Sequence, residues 1–340
     1  MEDRIILLWF LLWKSINIFN SGCAMFEIRQ DYLTQAMVFM SEERSLRPNF
    51  FYGRKNEAAP VIECPFCPEN GDVLTDIVSR EYGGRIIILK NKYPVTDSAK
   101  AGMSEAGIQS GIHEVMVDTD IHSQAFISFS QEEMELSLKS IIRRAGELSE
   151  YDNIKYVQAF KNDGRISGAS IGHSHWQILA MPFIPQKQSV IHSNFEKYYS
   201  ENGKSYIEYL YEQKDLIICE NSGAFAYMPY SSSYEYNINI APVRHVSSIT
   251  DLTEKEIFAL ANVLKPALSA LEERLGEFSF NICFQNAPTG DYKASHFYME
   301  IIPRLGNFAG LELSTQTFVN SKLPEKHAPL FAQLIKEKFL

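Results

Sequence analysis

His173-Ser174-His175-Trp176-Gln177 sets two imidazoles and a carboxamide at alternate positions, after Gly168-Ala169-Ser170 and before the apolar run Ile178-Leu179-Ala180-Met181. On a strand, alternate residues share a face, so His173, His175 and Gln177 can line one pocket. A neutral imidazole is an available nucleophile toward phosphorus near pH 7, because its ordinary pKa lies just below that value. Gln177 can hold a phosphate oxygen and steady the charge of an in-line displacement, but it cannot serve as a general acid. The pattern therefore suits a leaving group that needs no proton, such as a sugar phosphate, and points to group transfer rather than hydrolysis. Polar residues also decorate ordinary strands, but two histidines and a glutamine in alternation behind a Gly/Ser turn favour a site.

Cys64-Pro65-Phe66-Cys67 supplies two thiols at a spacing that grips one soft cation, and a tetrahedral ion needs two more ligands. His122, after the strand-like Glu114-Val115-Met116-Val117, and His173 are the candidates, giving a Cys2His2 zinc site in which His173 serves the metal and His175 the chemistry. A redox pair is the rival reading. No thioredoxin-like βαβ pattern surrounds the motif, which favours zinc.

These residues resemble the galactose-1-phosphate uridylyltransferase family, the transferase branch of the histidine-triad superfamily, from about Phe26 to the C-terminus. Arg29-Gln30-Asp31-Tyr32-Leu33-Thr34 and Arg44-Ser45-Leu46-Arg47-Pro48 are similar to its opening signature, and Lys90-Asn91-Lys92-Tyr93-Pro94 and Asn162 to Gln177 continue the match. The resemblance implies Cys64, Cys67, His122 and His173 as zinc ligands, His175 as the nucleophile that becomes uridylylated, and Gln177 beside it. It also implies Arg44, Arg47, Asn91, Asn162, Gly168, Ser170 and Gln177 around the nucleotide, and Glu312 against a hexose hydroxyl. A charge in the apolar context of Glu312 could equally be a paired surface carboxylate. The implied reaction is uridylyl transfer from UDP-glucose to galactose 1-phosphate, in a homodimer. Histidine-triad hydrolases carry a third histidine where this chain has Gln177. Many transferases read His-Pro-His, whereas Ser174 here resembles the ADP-glucose phosphorylases and keeps an ADP-sugar or dinucleoside-polyphosphate phosphorylase as the alternative. A non-enzymatic zinc-stabilised nucleotide-binding protein is the more distant one. Some members hold a second metal in the C-terminal half. Gln285 to Pro303 contains only His296 here, and that site is not expected.

Composition sets the frame. The chain has 340 residues, 45% hydrophobic and 22% charged, enough for two modules with an ample core. A formal net charge of -10 argues against a nucleic-acid surface, while a phosphate pocket needs only local cations. Cys23, Cys219 and Cys283 show no disulfide spacing, which suggests a reducing, cytoplasmic compartment. Ile5 to Trp13 is an apolar run too short to span a bilayer, so residues 1–24 are expected to be an extension outside the fold, with no membrane association.

The elements that must position these residues look duplicated. His122 and His245 each precede a capping box by eight residues, Ser130-Gln131-Glu132-Glu133 and Thr253-Glu254-Lys255-Glu256. Each box opens an amphipathic helix, with Met134, Leu138, Ile141, Ile142, Ala145 and Leu148 on one and Ile257, Leu260, Ala261, Leu264 and Leu268 on the other. Strands ending in Phe160-Lys161-Asn162 and Phe284-Gln285-Asn286 follow, then His173-x-His175-x-Gln177 and His296-x-Tyr298-x-Glu300. The second copy lacks the nucleophile. Strands are expected at Arg85 to Leu89, Tyr156 to Phe160, Leu216 to Cys219, Tyr236 to Ile240 and Tyr298 to Ile302, and a last helix at Pro329 to Phe339. The fold class is α+β: duplicated histidine-triad-like modules, residues 25–195 catalytic and 196–340 without the nucleophile, whose mainly antiparallel sheets join and are flanked by helices. The break is expected near Gln186 to Glu201, and Gly102 to Gly111 reads as a mobile loop. His245 reads as structural, and His113 and His192 as solvated.

Overall fold

Alternating burial along residues 175–181 sends Trp176, Ile178 and Ala180 into a helix-covered core and leaves His175 and Gln177 on the opposite face. This strand belongs to a computed structural model that describes residues 27–46, 64–67, 70, 76–96 and 110–339. The strands are β1 (Glu27–Gln30), β2 (Met37–Met40), β3 (Ile77–Glu81), β4 (Ile86–Lys90), β5 (Ile112–Val117), β6 (Tyr156–Asp163) and β7 (His175–Met181). They continue with β8 (Ile217–Glu220), β9 (Ala224–Tyr227), β10 (Ile238–Pro242), β11 (Phe280–Gln285), β12 (Tyr298–Pro303) and β13 (Phe318–Asn320). The α-helices are α1 (Gln131–Ser149), α2 (Gln186–Asn202), α3 (Tyr206–Gln213), α4 (Glu254–Leu275), α5 (Gly310–Thr315) and α6 (Pro324–Lys338).

One ten-stranded sheet carries both halves in the order β3-β4-β5-β7-β6-β11-β12-β10-β9-β8. Each neighbouring pair in it is antiparallel. Read inward from its two edges, the order is the same five-strand pattern twice, and the copies meet where β6 pairs with β11. The α+β class with joined antiparallel sheets flanked by helices is therefore the observed fold.

Both capping boxes form. Ser130 Oγ accepts from the Glu133 amide and Thr253 Oγ1 from the Glu256 amide, while each glutamate accepts from the cap residue's own amide. The apolar residues of both helices read from periodicity are buried, and α1 and α4 pack on each other and on one sheet face. Burying a Leu or Ile side chain in such a layer is worth roughly 1.5–3 kcal/mol.

The second-half helices pair with the first-half ones at a constant separation of 123 positions: His122 with His245, Ser130 with Thr253, and His173 with His296. The strand before the histidines corrects the expected alignment. Asp163 Oδ2 accepts from the Phe126 amide and Asn286 Oδ1 from the Ile249 amide, a pairing that keeps the same separation. Phe160 therefore corresponds to Cys283 and not to Phe284, because a one-residue slip would turn every side chain to the wrong face.

Other boundaries differ from expectation. The segment 186–201 is helix α2, held between Pro185 and a left-handed Gly203, so the expected division at 195/196 falls inside a helix. The last helix begins at Pro324, not Pro329, since proline at the first turn has no amide to lose. Strands β1 and β2 join β13 in a separate three-stranded sheet, where Arg29 binds Glu325 and the Tyr230 carbonyl, so residues 27–40 pack on the second half. Residues 1–24 and most of Gly102 to Gly111 lie outside the described residues.

Candidate active site and metal centre

Cys64 and Cys67 lie at a turn buried against Ile87, Leu89, Val115 and Val117 of β4 and β5. Asn70 Nδ2 donates to the Cys64 carbonyl at 2.8 Å and holds the turn. His122 follows β5, and His173 sits in the bend just before β7, which begins at His175. The four side chains converge, with all ligand atoms within 4.8 Å of one another. His173 Nδ1 lies 3.6 Å from Cys64 Sγ and 3.7 Å from Cys67 Sγ, and His122 Nδ1 lies 3.0 Å from Cys67 Sγ. A tetrahedral zinc ion bound at about 2.3 Å by sulfur and about 2.0 Å by nitrogen sets its ligands roughly 3.3–3.8 Å apart, which the cluster approximates. His173 Nε2–H donates to the Thr119 carbonyl at 2.8 Å, leaving the Nδ1 lone pair toward the sulfurs. The donor set fits zinc, and four protein ligands leave no open position for water.

His175 is buried against the same loop. Its ring stands 5.2 Å from that of Phe66, the residue between the cysteines. Nδ1–H donates to the His173 carbonyl at 2.8 Å, which fixes the tautomer and leaves the Nε2 lone pair to attack. Burial pushes the ring's pKa down to about 4, so it is neutral near pH 7.

A buried ion pair lies behind His175. Lys161 Nζ donates to Asp118 Oδ2 at 2.9 Å and to the His175 carbonyl at 3.2 Å. Asp118 Oδ2 also accepts from Trp176 Nε1 and Ser137 Oγ. Strand, helix and the ligand-bearing loop are thus tied at one carboxylate.

Gln177 is oriented by His113, which is buried rather than solvated. The Val95 amide donates to His113 Nδ1, placing the ring proton on Nε2, and Nε2–H donates to Gln177 Oε1 at 3.1 Å. The Gln177 amino group is left for a ligand. Asn91 packs on the same ring edge, its Nδ2 3.2 Å from Nε2, while its Oδ1 accepts from the Tyr93 amide. His192 is likewise buried, between Ser295 Oγ and the Asn286 carbonyl. Neither histidine showed its burial in sequence, because the partners are distant in the chain: Val95 and Gln177 for His113, Ser295 and Asn286 for His192.

Asn162 is one position beyond the β6–β7 pair Lys161–Trp176, level with His175 on the same face. Gly168, at φ +95°, lies beneath it, and exposed Ser170 follows on the loop to the histidines. Two more of the expected residues, Arg44 and Glu312, lie among the described residues. Arg44 is exposed on a single 3-10 turn (Glu42–Leu46) and makes no side-chain bond among the described residues. Glu312 accepts from the Ala309 amide and caps its own helix α5. Arg47 lies outside the described residues.

The second half keeps the histidines without the cysteines. His296 Nε2–H donates to the Pro242 carbonyl, as His173 does to Thr119, but Ser205 Oγ now meets Nδ1 at 2.8 Å. In this half it is a hydroxyl, which also caps helix α3, rather than a thiol that meets the histidine's Nδ1. His245, read as structural, donates to the Ser295 carbonyl and stacks on His296.

Comparison with known proteins agrees with this geometry. The N-terminal domain of a family described as a domain of unknown function (DUF4931) matches residues 54–184. An ADP-glucose phosphorylase of Arabidopsis thaliana is 25% identical over 326 residues, 91% of this chain and 93% of that protein. A galactose-1-phosphate uridylyltransferase of Thermotoga maritima is 28% identical over 322 residues, 89% and 97% of the two chains. The solved structure of an ADP-glucose phosphorylase from Arabidopsis thaliana with bound ADP-glucose superimposes with a TM-score of 0.81 at 25% identity, covering 93% of this chain and 100% of that one. Over nearly its whole length the chain is therefore similar, in sequence and in fold, to two kinds of enzyme. It is a homologue of the galactose-1-phosphate uridylyltransferases and ADP-glucose phosphorylases.

Proposed function

We propose that this enzyme moves a nucleotidyl group by double displacement on His175. The carrying observation is the His175 ring itself: Nδ1–H is committed to the His173 carbonyl and Nε2 is left as the nucleophile. Nε2 attacks the α-phosphorus of a nucleoside-diphosphate hexose. The bond to the bridging oxygen breaks, that oxygen keeps the electron pair, and hexose 1-phosphate departs as an anion that needs no proton. An acceptor phosphate oxygen then attacks the same phosphorus, the N–P bond breaks, and the imidazole returns with its Nδ1 proton in place. Gln177 and Asn162 donate to the nonbridging oxygens as charge shifts.

Cys64, Cys67, His122 and His173 would hold zinc, whose contribution is to clamp the cysteine loop to the histidine strand. Arg44, Arg47, Asn91, Gly168, Ser170 and Glu312 complete the substrate contacts in this reading, and the second half supplies sheet and a homodimer surface. Residues 25–195 carry the chemistry and 196–340 support it, in a reducing compartment.

UDP-glucose as donor and galactose 1-phosphate as acceptor make the enzyme a hexose-1-phosphate uridylyltransferase. ADP-glucose with inorganic phosphate as acceptor is the second reading. Ser174 between the histidines and the likeness to ADP-glucose phosphorylase over nearly the whole chain favour it. The test is the intact mass after exposure to UDP-glucose or ADP-glucose, with His175→Ala as control. A uridylyl adduct supports the first donor and an adenylyl adduct the second; no adduct from either, with nucleotide still bound, leaves a non-catalytic binding protein.

A further inference from the structure

Asn281, on β11 in the second half, is buried and touches three groups that fix which way its carboxamide points. Its Oδ1 accepts from Arg304 Nη1 at 3.1 Å. Its Nδ2 donates to the Ser167 carbonyl at 3.0 Å and to Asn162 Oδ1 at 2.7 Å. A carboxamide can be turned end for end with no change of shape, so its orientation must be argued from partners. Here the partners permit one answer. A guanidinium has no lone pair to accept with, and a backbone carbonyl has no proton to give. Turning Asn281 would set NH2 against Arg304 and oxygen against the Ser167 carbonyl.

The constraint passes to Asn162. Accepting a hydrogen bond from Asn281, it presents Oδ1 to that neighbour and keeps Nδ2 for the other side. That nitrogen hangs over the loop entering the histidine strand, where a Cβ added at Gly168 would stand 3.8 Å from it. It also lies level with His175 on the adjacent strand. A nonbridging phosphate oxygen only accepts hydrogen bonds, so the NH2 end is the one a phosphate at His175 requires.

We infer that Arg304 and Asn281 are positioning residues that hold Asn162 as a hydrogen-bond donor to the transferred phosphoryl group, so that the half without a nucleophile sets the polarity of the catalytic pocket. The inference rests on the nucleotidyl-transfer reading. It is distinct from that reading because it concerns how one carboxamide is oriented, by residues outside the histidine strand.

The test is a double-mutant cycle on the zinc-loaded full chain, read as the single-turnover kcat/KM for nucleotidylation of His175 by UDP-glucose and by ADP-glucose. Asn281→Asp keeps the shape and the Arg304 contact but offers only acceptors, so Asn162 turns its oxygen toward the phosphate. We expect a loss of about 10- to 100-fold, a similar loss for Asn162→Ala, and no further loss in the double variant. Arg304→Met frees Asn281 to turn and should cost a few-fold, again only when Asn162 is present. A purely structural role for Asn281 would instead lower the melting temperature and multiply with Asn162→Ala. An unchanged rate in Asn281→Asp, or multiplicative losses, overturns the inference. Should the unmutated protein form no adduct, the transfer reading fails on its own. The same cycle read by calorimetric titration with ADP and UDP then decides the coupling: non-additive affinities sustain it and additive ones overturn it.

Discussion

The Nδ1–H of His175 and the Oε1 of Gln177 are each committed to a neighbour, and both commitments leave the productive end facing the site. His175→Ala should abolish the nucleotidyl adduct while the protein still binds nucleotide, as checked by intact mass and calorimetric titration. His113→Leu should release Gln177 and cut kcat about tenfold or more with a small change in KM, because the lost contact matters most as charge shifts onto the phosphate oxygens. Lys161 is a structural matter at this scale. Lys161→Met leaves Asp118 buried without its cation and should cost about 3–5 kcal/mol in denaturant unfolding. Cys64, Cys67, His122 and His173 were legible as a set because residue type restricts soft-metal ligands. His113, Lys161 and Asn281 were not, since their roles depend on cross-strand neighbours that no spacing encodes.

At the scale of elements, the four-residue cysteine turn does two things: it brings two thiols to His122 and His173, and it lays Phe66 on the His175 ring. Zinc removal by a chelator should therefore lower the melting temperature and slow adduct formation together, with both restored by added zinc; a drop in neither argues against a metal clamp. Cys67→Ser should reduce the metal content from one equivalent to near zero by elemental analysis. The α4 capping box gives a pH prediction. Its Glu256 is held down at about 2, chiefly by Arg244 and despite burial, against an ordinary 4.5. Its contribution is fully present above about pH 4.5 and is lost as pH falls through about 2. Glu256→Gln should cost about 1 kcal/mol at pH 7 and progressively less toward pH 2, measured by denaturant unfolding at each pH. Both boxes and the buried faces of both long helices were readable from sequence because capping and 3.6-residue periodicity are local rules. The 186–202 helix was not, since its mixed polar face carries a weak periodic signal.

For the molecule as a whole, the seam between β6 and β11 joins the halves into one sheet and brings Asn281 to Asn162. A fragment of residues 196–340 would expose β11 as an unpaired edge and lose the β1–β2 pairing to β13. It should aggregate on expression rather than yield a folded module; a monodisperse, cooperatively unfolding fragment would show that the halves are independent. Among the described residues no helix is long and apolar enough to cross a membrane. What the sequence determined by itself was everything carried by residue type and short spacing: the histidine strand, the Cys2His2 cluster, the capped helices and the duplication. Tertiary structure decided which end of each carboxamide and which nitrogen of each histidine faces the site, that the second half replaces thiolates with the Ser205 hydroxyl, and that strands 27–40 serve that half. The physical reason is that hydrogen-bond direction and sheet pairing join groups distant in the chain. A sequence specifies the donors and acceptors present, and only the folded geometry assigns each to its partner.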